Sequence, residues 1–369
     1  MKNKILIYIM LLMVSLTACH NEDELEASNK DVDRVTSQID VSIADVERFY
    51  ADYNMGLLFE YDQNLDFAYV ASSDNEALIW GDMEIPQVST LFDNDDTGVV
   101  LPENKAAYQQ YKTDIAALLD NSVFKFFKPN SAIAGKMPYK VLVSESIFSP
   151  RNVAGEASDV ITESEGRFSS DATSQLRTVY NNNSMVFGVN LSDIGDETEF
   201  SKDNFFIFFS RILRMHNLYD AIPESFYANK DAYYGLEMEP VYREELDIAD
   251  EKLVFVIDKD WFYAKGFITS KYFFDSGLGT IYQRYDEDGN DLGVIGQIRH
   301  YDAIAPDDEF VEDEGEDVRA YLNEMIYRTG DEILAFPQNI QDNMKLLLDL
   351  FTGWGVDMLA VNPDLEVLN

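Results

Sequence analysis

The sequence predicts an α+β domain, on three observations. Stretches with the apolar period of amphipathic helices are mixed with short apolar runs of strand length. No regular strand–helix–strand alternation links them, and no internal repeat is visible. The chain has 369 residues, and its 46% hydrophobic and 13% aromatic content suffices for a sizeable core and excludes wholesale disorder.

The globular part is expected to begin near Val41. From Ser42 to Tyr53, the residues Ile43, Val46, Phe49, Tyr50 and Tyr53 fall at helical spacing, with Ser42 as the candidate N-cap. Met55 to Tyr61 reads as a buried strand, Asn104 to Leu119 as an amphipathic helix and Tyr139 to Ser144 as a second strand. The Ser/Gly/Glu-rich stretch from Asn152 to Leu176 has no period and reads as a long loop. A strand from Ser184 to Asn190 precedes a helix over 203–215, in which Phe205, Phe206, Phe209, Ile212 and Leu213 cover most of the circumference. That helix belongs in the core. Leu253 to Asp258 reads as a strand, and Thr280 to Ile298 as a hairpin turning at 286–290. The C-terminal part is helical, over Val318 to Tyr327 and Ile340 to Phe351. In the second of these, Ile340, Met344, Leu347, Leu348 and Phe351 form one stripe.

Three segments are expected along the chain: 1–18, 19–40 and a single domain over 41–369, divisible into a sheet part at 41–215 and a helical part at 216–369. Residues 1–18 have the plan of a signal peptide. Lys2 and Lys4 precede an uninterrupted apolar stretch from Ile5 to Val14, which is followed by Leu16-Thr17-Ala18-Cys19. The stretch is shorter than the roughly 20 residues a membrane-spanning helix needs, which suits it to cleavage. Leu-Thr-Ala-Cys resembles the bacterial lipobox, in which the cysteine thiol receives a diacylglycerol, so Cys19 is the candidate lipidation site and the membrane is a partner through that anchor. It is also the only cysteine, which excludes a disulfide or a thiolate metal site after acylation. The tract from His20 to Glu26 is acidic and resembles a surface-export signal of Bacteroidetes lipoproteins. The stretch over 19–40 reads as an acidic flexible tether.

The formal net charge of −40 repels phosphate backbones and anionic headgroups, so nucleic acid is not an expected partner.

The order of segments resembles the substrate-import-associated zinc metallohydrolase-like lipoproteins of Bacteroidetes, a zinc-binding metallopeptidase family. The matching pieces are Tyr53-Asn54-Met55, Arg211-Ile212-Leu213-Arg214-Met215, Lys265-Gly266-Phe267-Ile268-Thr269 and Asp308-Glu309-Phe310-Val311-Glu312, from about Val41 to the C-terminus. The resemblance implies a zincin-like fold and an outer-membrane, cell-surface location. It also implies association with a TonB-dependent nutrient importer and its substrate-binding lipoprotein. The family's HExxH motif would fall on Ile207-Phe208-Phe209-Ser210-Arg211, where both histidine ligands and the general-base glutamate are missing. His20, His216 and His300 are the only histidines, and none stand four apart. A degenerate member without zinc is therefore expected, either as a non-catalytic accessory or binding component or, alternatively, as a hydrolase using another acidic site or as an adhesion protein.

Arg211 sits one helical turn after Ile207 on the same face. It is expected either to replace the metal's charge by pairing with Glu309 or Glu312, or to lie on an exposed stripe. The acidic run 307–317 offers carboxylates for Ca²⁺ or acid–base work, or else forms a solvated loop leading into a helix. No other cofactor is expected. Asp286 to Asp291 and Asp93 to Gly98 read as turns before they read as cation sites, and Ser122-Val123-Phe124-Lys125 as a chance match to SxxK. His216, near a helix end, reads as a hydrogen-bonded structural residue. Replacing Cys19 with Ala is expected to release the protein from membranes or leave it unprocessed. Unchanged membrane fractionation of that variant would refute the anchor.

Overall fold

The computed structural model describes residues 33–68, 83–150, 173–176, 178–181, 184–192, 194–236, 238–247, 257–268, 282–285, 291–295, 303–304 and 314–369. The chain divides between Ser37 and Gln38 into two units. In the first, the described residues are 33–37. They open a short helix, α1 (Arg34–Gln38), where Asp33 Oδ1 accepts from the Val35 amide at 3.0 Å. Helix α1 thus falls inside the stretch expected as tether.

The second unit mixes α and β structure, as its apolar periods require. A four-stranded sheet has the order β1 (Gly56–Leu58), β2 (Lys140–Ser144), β6 (Met185–Gly188), β5 (Thr178–Tyr180). The pairs β1–β2 and β2–β6 are parallel, with Leu57 opposite Val141 and Leu142 opposite Val186. β5 closes the sheet antiparallel to β6. Leu57, Leu58, Val141, Leu142, Val143, Met185, Val186 and Phe187 are all buried, the unbroken apolar run of strands covered on both faces. An antiparallel pair of β3 (Ile147–Pro150) and β4 (Thr173–Leu176) lies beyond β2 in sequence, so the end of the stretch expected as loop is a strand. Strands β7 (Ile257–Asp258) and β10 (Ala303–Ile304) pair antiparallel, as do β8 (Tyr282–Tyr285) and β9 (Asp291–Ile295), the hairpin expected from the sequence. The second half of the domain therefore contains strands as well as helices.

Two of the described helices, α2 and α3, lead up to the central one in the second unit. In α2 (Ala44–Tyr53), Val46, Phe49 and Tyr53 are buried as their spacing predicts. The expected cap is absent. Ile43 holds the N-cap position, while the Ser42 hydroxyl binds Asp40 Oδ1 at 2.5 Å. Asp40 in turn takes Lys112 Nζ at 2.6 Å from α3 (Lys105–Ser122), and Gln109 Nε2 at 3.0 Å. Burial pushes the Asp40 pKa up, but the hydrogen bonds from Lys112, Ser42 and Gln109 outweigh it and hold the carboxyl well below the usual range. The chain is thus fastened to α3 before α2 begins.

Helix α4 spans Glu197–Met215, starting earlier than its apolar period suggests. Asp196 explains the difference, because its carboxylate accepts from the Thr198 and Glu199 amides at 2.7 and 3.1 Å and caps a polar first turn. From Asn204 to Leu213 every residue is buried. Phe208 stacks on Phe187 of β6 at 5.9 Å and meets Phe124 and Phe127, each at 5.4 Å. On another side Phe209 meets Phe351 at 4.9 Å. Phe351 belongs to α10 (Gln338–Trp354), whose buried residues are the stripe read from the sequence. Gly355 ends α10 at φ +101°, and a Cβ there would stand 2.3 Å from that of Ser131, so both conformation and space require glycine.

The other α-helices among the described residues are α5 (Glu224–Tyr227), α6 (Met238–Glu245), α7 (Lys259–Lys265), α8 (Glu314–Tyr327), α9 (Gly330–Leu334) and α11 (Met358–Val361). α4 packs against both α3 and α8, which makes it the common element of sheet and helices. Removing the Phe208 ring would leave a cavity bounded by three other rings that cannot all move in. Phe208→Ala should therefore cost about 3–5 kcal/mol of unfolding free energy in urea titration. A loss below about 1 kcal/mol would place it among ordinary surface changes and sink this account of the core.

Candidate functional site

The face of α4 on which the sequence places the degenerate motif is not a cleft. Ile207 and Phe208 are both fully enclosed, Phe208 in the aromatic packing just described. Arg211 is only 4% exposed, which corrects the expectation of an exposed stripe. Its Nη2 donates to the backbone carbonyl of Asn181, beyond the end of β5, and its guanidinium carbon lies 4.9 Å from the Tyr180 ring centroid. Nε and Nη1 have no hydrogen-bond partner, and no carboxylate pairs with Arg211 among the described residues. Burial pulls its pKa down to about 10, with the charge of the Tyr180 phenol group acting the other way and the positive charge of Arg214 adding to the depression. Glu309 and Glu312, its expected partners, lie outside the described residues, as do Cys19, His300 and the 286–290 turn.

Several minor expectations can be placed. His216 caps the C-terminus of α4, and its Nε2 donates to the Lys136 carbonyl at 2.9 Å, a structural role. Asp95 Oδ1 accepts from the amides of Thr97 and Val99 at 2.9 and 3.1 Å, which is the geometry of a turn. Ser122 Oγ donates to the Leu118 carbonyl of its own helix at 2.6 Å, and Lys125 lies over the Phe126 ring, so the SxxK match is not an assembled site. Among the described residues no three or more of His, Cys, Asp and Glu come together to hold a metal ion.

Sequence reasoning missed a fully buried ion pair in the interior. Lys230, between α5 and α6, and Asp317, in the first turn of α8, are 0% and 2% exposed, with Nζ 2.5 Å from Oδ2. Asp317 belongs to the acidic run 307–317, one of whose expected forms was a solvated loop. Its place in the first turn of α8 agrees with the helix start expected at the end of that run, while its burial corrects the expectation of solvation. Tyr234 donates its hydroxyl to Asp317 Oδ2 at 2.7 Å. Lys230 Nζ sits 3.3 Å from the Phe226 ring centroid and 4.8 Å from that of Tyr321. Tyr321 is itself tied down, donating to the Gly266 carbonyl at 2.5 Å and accepting from Asn343 Nδ2 at 3.0 Å. Gly266, at φ +95°, brings the Gly-Phe segment close over the lysine stem, and Phe267 packs against Tyr233, Tyr234 and Phe262.

The electrostatics of this pair favour neutrality. Burial lowers the pKa of Lys230, against the attraction of Asp317. Burial raises that of Asp317, against the pull of Lys230 and Tyr234. The one sequence signal was a lysine set among Phe226, Tyr227, Tyr233 and Tyr234; nothing in spacing joins it to α8.

Compared with known families, curated proteins and solved structures, the chain shows no match. Replacing a buried, incompletely bonded cation by an apolar side chain of similar length relieves its desolvation. Arg211→Met should leave the thermal midpoint unchanged or raise stability by about 1–4 kcal/mol. A large loss would instead show that the guanidinium has a carboxylate partner, with Glu309 and Glu312 the first to examine.

Proposed function

We propose that this chain is a lipid-anchored outer-membrane protein, displayed on the cell surface, whose zincin-like domain is a non-catalytic accessory or binding component of a TonB-dependent nutrient-uptake system. The observation that carries the non-catalytic reading is the filling of the α4 face. Zinc hydrolysis needs two or more ligand lone pairs converging on one ion, an open coordination position and a base beside it. Ile207 and Phe208 offer no lone pair, and the guanidinium of Arg211 offers donors only, with a charge that repels a cation. All three are buried against other side chains or backbone. The residues present do not fit the zinc ion that the resembled family holds there, and no step is assigned to one.

The remaining parts of the reading rest on sequence. Lys2, Lys4, the apolar run and Leu-Thr-Ala-Cys support lipidation at Cys19, and the acidic tract after it supports surface display. The family resemblance supports the importer and its substrate-binding lipoprotein as partners. Among the described residues no helix is long and apolar enough to cross a membrane.

The decisive experiment combines two measurements on the mature protein. Native separation of detergent-solubilised outer membranes should find the chain in one complex with a TonB-dependent barrel, and Zn²⁺ titration of the purified protein should give no stoichiometric uptake. Peptidase or glycosidase activity that depends on an added metal would overturn the non-catalytic assignment. Migration free of any barrel would overturn the uptake assignment.

A further inference from the structure

Lys230 and Asp317 form an ion pair with both partners buried. Nζ stands 2.5 Å from Oδ2, and among the described residues neither Nζ nor Oδ1 has a further hydrogen-bond partner. A buried ammonium has three protons to place, and leaving them unplaced is costly. Here the nitrogen faces aromatic rings and one carboxyl group. So short an approach, with the remaining protons of Nζ unplaced and in a site closed to water, holds the amine nitrogen beside the carboxyl group.

We propose that Lys230 and Asp317 form an intramolecular isopeptide bond, Nζ to Cγ, which ties the connection between α5 and α6 covalently to the first turn of α8. The reaction starts with transfer of a proton from the ammonium to the carboxylate, giving an amine and a carboxylic acid. Removing two charges from an apolar enclosure favours this direction. The amine lone pair then adds to Cγ, and the C–N bond forms. Tyr234, whose hydroxyl already donates to Oδ2, passes its proton to that oxygen and takes one from the nitrogen. The C–Oδ2 bond breaks, Oδ2 leaves as water, and Oδ1 becomes the amide oxygen. One water is lost per chain, one positive and one negative charge disappear together, and no oxidant, reductant or external co-reactant is needed.

Amide formation from an amine and an acid is opposed in bulk water by dilution and by solvation of the ions. The fold removes both obstacles, since it holds the two groups in contact and keeps water out. Tyr321 contributes as a positioning residue. Its bonds to Gly266 and Asn343 hold its ring beside the Lys230 head group.

Intact mass spectrometry of the full mature protein, denatured after purification, tests this directly. Wild type should be lighter by one water than its sequence and lipid modification require, and trypsin should fail to cut after Lys230, releasing a branched peptide that contains Asp317. Lys230→Arg should show the full mass. Asp317→Asn should reach the same final mass as wild type, because it can lose ammonia to give the same amide. In freshly synthesised protein, Tyr234→Phe should slow the loss of water. Wild type of full mass, cleaved normally after Lys230, would overturn the proposal whatever the variants do. A water loss that persists in Lys230→Arg would overturn the assignment of the nitrogen, and an unchanged rate in Tyr234→Phe would remove the tyrosine from the proton path.

Discussion

Burying α4 is the constraint to which most of the domain answers. From Asn204 to Leu213 the helix has no exposed residue, so it cannot lie on a surface with one face in water, and structure must be supplied all around it. The sheet supplies Phe187, the turn after α3 supplies Phe124 and Phe127, and α10 supplies Phe351. Rings at these distances meet mostly edge to face, an arrangement that depends on angle as well as contact. The position of each surrounding element is thereby coupled to that of the others through one helix.

The same enclosure explains what happens to charge. The chain is strongly acidic, yet among the described residues the deeply buried cations include Lys230 and Arg211, each held against aromatic faces. An aromatic face offers a cation some compensation without an acid of its own. Lys230 adds a carboxylate to this. Arg211 adds one backbone carbonyl. The difference separates a place built for two reacting polar groups from one where a single cation fills space at the side of the core.

Much of the fold was legible where burial has a period. The α10 stripe, the core character of α4 and the β8–β9 hairpin all follow from apolar spacing and turn residues. What was not legible lacks such a period. The first turns of α4 are polar and held by Asp196, and Ser42 is drawn away from capping α2 by Asp40. At the candidate sites the sequence placed Ile207 and Arg211 on one helical face but could not say that the face is buried. It set Lys230 among aromatic residues and Asp317 in an acidic run but gave no sign that the two meet, because only the packing of α8 against the aromatic layer brings them together. The zincin-like reading rests on the order of segments and on no fold likeness.

The fastening at Asp40 has a mechanical meaning. Tension applied at the N-terminus enters the second unit at Gln38 to Asp40, ahead of α2 and β1. There it meets Lys112 and Gln109 of α3, and the Gln38 amide donating to Asp66 Oδ2 at 3.0 Å. The load therefore passes sideways into a long helix, and β1, a three-residue strand at the edge of the sheet, is spared from being peeled off its neighbour.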